Sequence, residues 1–121
     1  MSAAPKTIVI IDDDEAVRDS TDVLLKSYGH TTQIFPSADA FLQATAGTGG
    51  DVLVVDVQMP GLSGIELLEA LRARAIATPV ILMTANPDQL GERGKQAGAI
   101  DVLRKPFSED VLLSTIARAC D

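Results

Sequence analysis

The chain has 121 residues, 46% of them hydrophobic, with ten basic and seventeen acidic side chains giving a formal charge of −7. That length and apolar content suit one folded domain and exclude a disordered chain. The negative balance argues against direct binding of nucleic acid or of an anionic membrane surface, because phosphates would be repelled.

No apolar run approaches the ~20 residues needed to span a bilayer. The opening MSAAPKT lacks the charged-then-apolar plan of a signal peptide. Cys120 is the sole cysteine, so no internal disulfide exists and a reducing, cytoplasmic setting is expected.

Two patterns alternate along the chain. The run Thr7–Ile11 is rich in β-branched residues and predicts a strand. Val17, Leu24, Leu25 and Tyr28 then recur at helical spacing, and residues 30–35 predict a second strand. Ser37 is a candidate N-cap for a helix carrying Ala38, Phe41 and Leu42. The glycine-rich stretch 45–50, TAGTGG, reads as a loop before a third strand at 52–55. Ser63 predicts a third helix start, with Glu66 completing a capping box ahead of Leu67, Leu68 and Leu71. Residues 80–83 form the fourth β-rich run.

The helix after Pro87 is the weakest, since Gly91 and Gly94 each cost about 1 kcal/mol against alanine. A fifth run at 100–103 is followed by Ser108, which opens a last helix expected to turn Val111, Leu112 and Ile116 inward. Strand–helix alternation repeated five times predicts an α/β fold, a parallel sheet covered on both faces. No linker or low-complexity tract divides residues 1–121.

In an open parallel sheet the carboxyl ends of the strands line one crevice, where ligands bind. Asp12, Asp13, Asp14 and Glu15 follow the first strand, and Asp56 ends the third. Thr84 ends the fourth, and Lys105 and Pro106 follow the fifth. Carboxylates brought close together either take raised pKa values or share a cation. Hard oxygen ligands favour Mg²⁺. An aspartate beside Mg²⁺, a lysine and a hydroxyl is set to attack phosphorus, with metal and ammonium neutralising the phosphoryl oxygens. Asp56 is therefore the candidate phosphoryl acceptor.

Blander readings suit other residues. Asp14 and Glu15 read as a helix cap and an acidic first turn. His30 reads as a surface or turn histidine, and Cys120 lies too near the chain end to suggest a reactive thiol. A calcium-binding EF-hand loop starting at Asp12 fails, having no glycine at its sixth position.

Four stretches, IVIIDDDEAVR, VLVVDVQMPGLSGIELL, PVILMTA and AGAIDVLRKPF, together resemble the response-regulator receiver domain, the CheY-like phosphoacceptor module of two-component signalling. The stretch FPSADAFL at 35–42 resembles the FixJ-like branch, whose members often carry a DNA-binding output domain. The resemblance implies a flavodoxin-like (βα)5 fold, one doubly wound five-stranded sheet in the order 2-1-3-4-5. It implies phosphorylation of Asp56 by a histidine kinase or phosphotransfer protein, with Mg²⁺ held by Asp13, by Asp12 largely through water, by Asp56 and by the backbone carbonyl of Gln58. Lys105 would contact the phosphoryl group, Pro106 would follow it in cis, Thr84 would be a switch hydroxyl, and Ala85 would leave room.

Such a domain is a signalling module rather than a general enzyme. It catalyses only its own phosphorylation and slow dephosphorylation, with Gln58 and Asn86 expected to tune water access. It would switch contacts with a downstream protein, as a monomer or a phosphorylation-dependent dimer, without touching nucleic acid or membrane itself. A single-domain regulator is expected; the alternative is an excised receiver of a FixJ-like DNA-binding transcriptional regulator.

One position departs from the family pattern. Val102 stands where an aromatic ring usually swings inward; valine is short and stiff, which points to the fourth helix as the mobile element. Two rivals fit less well. A haloacid-dehalogenase-type enzyme needs an aspartate where Gln58 stands. An FMN carrier needs a phosphate-cradling loop where DDDE lies, and this chain has three Phe, one Tyr and no Trp for flavin stacking.

Overall fold

A computed structural model of the chain describes residues 5–120. Residues 1–4, which begin the stretch read above for a signal peptide, and residue 121 lie outside the described residues. Strands and helices alternate in the order β1 (Thr7–Ile11), α1 (Glu15–Ser27), β2 (Thr31–Phe35), α2 (Ala38–Thr45), β3 (Val52–Asp56), α3 (Gly64–Ala73), β4 (Val80–Thr84), α4 (Pro87–Gln96), β5 (Asp101–Arg104) and α5 (Glu109–Ala119). All strand pairs are parallel, and the sheet order is β2-β1-β3-β4-β5, the order expected.

Period-two alternation divides the central strands between two cores. Val9, Ile11, Leu53, Val55 and Leu82 pack with Phe41, Leu67, Leu68 and Leu71 from α2 and α3. Ile8, Ile10, Val52, Val54, Ile81 and Met83 pack on the other face with Leu25, Leu112 and Ile116 from α1 and α5. Every residue of β3 and β4 is buried, which is why those strands read as continuous apolar runs. The more polar β2, TTQIF, lies at the sheet edge and is only partly covered.

Local chemistry sets the helix ends. Asp14 caps α1, its side chain accepting from the N–H groups of Ala16 and Val17, and Glu15 is an exposed first-turn acid. Ser37 and Ser108 cap α2 and α5 as expected. At α3 the capping box is complete: Glu66 N–H donates to Ser63 Oγ at 3.1 Å, and Ser63 N–H donates to Glu66 Oε1 at 2.9 Å.

One inward assignment is corrected. Val111 is 46% exposed, because the buried stripe of α5 runs through Leu112, Thr115, Ile116 and Ala119, and Val111 precedes it in the first turn. Tyr28 is 58% exposed; α1 has ended by then, and Gly29 turns the chain at φ +89°. The last strand also begins one residue later than its apolar run, leaving Ile100 exposed. Among the described residues no helix is long and apolar enough to cross a membrane.

Ser63→Ala removes one half of the α3 capping box. Urea unfolding should show a loss of about 1 kcal/mol, and an unchanged midpoint would show that the box contributes nothing to stability.

Candidate functional site

The parallel register assembles the site. Ile11 pairs with Val55, and the next residues are Asp12, directly after β1, and Asp56, the last residue of β3. Thr84, the last residue of β4, pairs with Arg104, directly before Lys105. The N–H of Lys105 donates to the Thr84 carbonyl at 2.9 Å, extending the pairing to the lysine itself. The Lys105–Pro106 peptide is cis, as expected.

Oxygens of Asp12, Asp13 and Asp56 lie within 4.8 Å of one another. Asp12 and Asp56 are buried, whereas Asp13 is exposed. Lys105 Nζ reaches Asp12 Oδ2 at 3.0 Å and Asp56 Oδ2 at 3.5 Å, so one ammonium serves both buried carboxylates. The other oxygen of each is held by backbone: Asp14 N–H donates to Asp12 Oδ1 at 2.9 Å, and Gln58 N–H to Asp56 Oδ1 at 3.3 Å. Thr84 is fully buried at the same edge, its Oγ1 accepting from Asn86 N–H at 3.0 Å. The Asn86 amide in turn donates to Gln58 Oε1 at 3.3 Å, joining the loops after β3 and β4. Ala85 is exposed beside Thr84.

Charge explains the electrostatics. Burial raises the Asp56 pKa most; the Lys105 ammonium opposes it, Asp12 raises it further, the Gln58 N–H opposes, and Asp13 adds to the rise. The balance pushes Asp56 up to about 6 from an ordinary 3.8. For Lys105, burial alone would lower the pKa, but the hydrogen bond to Asp12 and the charges of Asp56 and Asp12 outweigh it and leave it raised. Lys105 thus keeps its positive charge at neutral pH.

The donor set fits a divalent cation. Three carboxylates against one ammonium leave two negative charges uncompensated once Asp56 is ionised. The ligands are all hard oxygens, and exposed Asp13 leaves one side open to water, as Mg²⁺ prefers.

Two supporting residues escaped the sequence reading. A Cβ on Gly64 would stand 2.5 Å from the Asp56 carbonyl oxygen and 3.0 Å from Val57 Cα. Gly64 N–H donates to Val57 O at 2.9 Å, so α3 starts directly against the end of β3. Arg18 Nη1 donates to the Asp12 carbonyl at 2.9 Å, steadying the first acidic loop. A glycine straight after the Ser63 cap was the only available sign of the first; nothing in the spacing marked the second.

Fold and site together define an α/β domain with an acidic pocket at the carboxyl edge of its sheet, and comparison with known proteins agrees. The chain belongs to the response regulator receiver domain family, whose model matches residues 8–117. It is 43% identical over 113 residues to the transcriptional regulatory protein FixJ of Bradyrhizobium diazoefficiens, covering 93% of this chain and 55% of that protein. It is 33% identical over 120 residues to the response regulator protein TodT of Pseudomonas putida strain F1, covering 98% and 53%. The crystal structure of FixJ-N superposes with a TM-score of 0.89 at 35% identity, covering 98% of this chain and 95% of that one. The chain therefore spans about half the length of the curated relatives it matches. Receiver domains are the signalling modules of two-component response regulators and generally bind Mg²⁺ at an acidic pocket.

The raised Asp56 pKa has a consequence for stability. The folded state holds this proton more tightly than the unfolded chain, so ionising Asp56 penalises the fold as pH rises from about 4 to about 6. A shift of two units corresponds to at most about 3 kcal/mol. Asp56→Asn should therefore be more stable than wild type at pH 8 in a chelator, with the advantage shrinking towards pH 4. Equal urea midpoints at pH 8 would show that Asp56 carries no such penalty.

Proposed function

We propose that this receiver accepts a phosphoryl group on Asp56, in a Mg²⁺-dependent reaction, from the phosphohistidine of a cytoplasmic kinase or phosphotransfer protein. The observation that carries the reading is the Lys105 ammonium lying within 3.5 Å of both buried carboxylates while Asp13 completes a three-oxygen cluster.

In this reading an ionised Asp56 oxygen attacks phosphorus. The phosphorus–nitrogen bond breaks, the imidazole nitrogen keeps the electron pair, and an acyl phosphate remains on Asp56. Asp12, Asp13, Asp56 and the Gln58 carbonyl would hold Mg²⁺, which supplies charge neutralisation to the phosphoryl oxygens. Lys105 reaches those oxygens from the other side, its geometry already set by Asp12 and by the β5 backbone. Thr84 Oγ1 turns from Asn86 N–H towards the new anion. Gln58 and Asn86, hydrogen-bonded to each other above the site, screen Asp56 from water and so tune the lifetime of the acyl phosphate.

The output admits two forms. In one the chain acts by itself through contact with a target protein. In the other it governs an attached output domain of the FixJ kind, a reading supported by relatives about twice as long. The open reading frame around this segment separates them.

Incubation with acetyl phosphate and millimolar Mg²⁺ should add one phosphoryl group by intact mass, and a chelator should prevent it. Asp56→Asn should stay unlabelled, and labelling equal to wild type would remove Asp56 from the role. Lys105→Met should slow labelling by about a hundredfold, the usual effect of losing one group that stabilises transition-state charge; an unchanged rate would leave Lys105 with a structural part only.

A further inference from the structure

Arg18 stands where a cation is poorly placed. It ends the first turn of α1, and the dipole at a helix N-terminus disfavours positive charge. Its side chain is only 14% exposed, although burying an unpaired charge is costly. Among the described residues its one ion pair is with Glu15, 3.9 Å from Nη2, and not with Asp12, Asp13 or Asp56. Glu15 lies in open solvent, so that pair contributes little. What Arg18 holds is a carbonyl: Nη1 donates to Asp12 O at 2.9 Å.

That carbonyl belongs to the peptide joining Asp12 to Asp13, and a peptide unit is rigid and planar. Asp12 is tied at other points as well. Its N–H donates to Phe35 O at 3.3 Å, and its carboxylate oxygens meet Asp14 N–H at 2.9 Å and Lys105 Nζ at 3.0 Å. Asp13 has no comparable tie. Its carboxylate is exposed and, among the described residues, makes no hydrogen bond or ion pair. Yet one of its oxygens lies within 4.8 Å of oxygens on Asp12 and Asp56. The direction in which Asp13 leaves the chain is set by the peptide plane that Arg18 grips.

We infer that Arg18 is a positioning residue for the cation site, fixing the Asp12–Asp13 peptide so that the Asp13 carboxylate stays aimed at Asp12 and Asp56, a role that rests on the Mg²⁺ site proposed above. Charge and geometry act here with opposite sign. A guanidinium beside a cation site repels Mg²⁺, so in a role through charge alone, neutralising Arg18 strengthens binding. In a positioning role the same change weakens binding, because Asp13 then samples directions away from the other two oxygens.

Mg²⁺ titrations of the full chain, followed by amide NMR, separate the two. Arg18→Met should weaken Mg²⁺ binding about tenfold, the usual size for losing a group that orients a metal ligand. Arg18→Lys keeps the charge and a donor on a shorter, non-planar head, so it should weaken binding about threefold. Ser37→Ala removes the cap of α2 and gauges lost stability alone; it should leave Mg²⁺ affinity within about twofold of wild type. Unchanged or tighter binding in Arg18→Met overturns the inference, as does an equally large loss in Ser37→Ala. If Arg18→Met does not fold, Arg18→Lys decides: wild-type affinity with the charge retained overturns the positioning role.

The Mg²⁺-free protein gives an independent reading. Asp14 N–H bonds to Asp12 Oδ1 in the loop that Arg18 grips. In a chelator Arg18→Met should speed exchange of that amide about tenfold, the effect of loosening one hydrogen bond, and Ser37→Ala should not. Mg²⁺ uptake by wild type with no loss in the Arg18 variants overturns the inference and leaves the proposed function standing. Wild type that takes up no Mg²⁺ at millimolar levels overturns the proposed function instead. The Asp14 amide then decides whether Arg18 positions the loop, and an unchanged exchange rate there overturns that role too.

Discussion

The site depends on one electrostatic arrangement: two buried carboxylates facing each other with a single ammonium between them. Asp12 and Asp56 would not share the end of an apolar sheet unaided, and Lys105 makes the arrangement tolerable without neutralising it. The raised pKa of Asp56 measures the tension that remains. A stiff, fully buried β3 keeps its terminal carboxylate from relieving that tension by swinging into water. The same excess of negative charge that burdens folding suits the pocket to a divalent cation.

The neighbouring loops act less as ligands than as braces. Gly64 brings the start of α3 into contact with the Asp56 backbone, and Arg18 holds the carbonyl of Asp12. Gln58 works twice, its N–H on Asp56 and its side chain on Asn86. Thr84 is likewise shared between strand and helix, with its hydroxyl under the first turn of α4. Site and α4 are therefore joined by hydrogen bonds that run through Thr84, Asn86 and Gln58.

Much of the fold was legible because local signals agreed with one another. The capping serines, the capping box at Ser63 and the continuous apolar runs of β3 and β4 pointed to the elements the structure contains. The one inward error fell where local pattern underdetermines direction. Val111 has helical spacing, yet a helix's buried stripe is chosen by its partner, and its first turn overhangs that partner freely. Candidate site residues were legible as polar groups following apolar strands. Their supports, Gly64 and Arg18, were not, since each is defined by proximity to a backbone carbonyl distant in the chain or across a turn.

By itself, the sequence determined the alternation of elements, the strand ends that carry Asp12, Asp56, Thr84 and Lys105, and the helix starts, because those follow from side-chain chemistry acting over a few residues. Only the tertiary structure decided that one lysine pairs with both buried aspartates, that the Thr84 hydroxyl accepts from the Asn86 N–H at the start of α4, and that Gly94 lies close against Val102 and Leu82 while Gly91 faces open space. Those facts are distances between groups far apart in the chain. Such distances arise from the packing of whole layers, which no local pattern encodes.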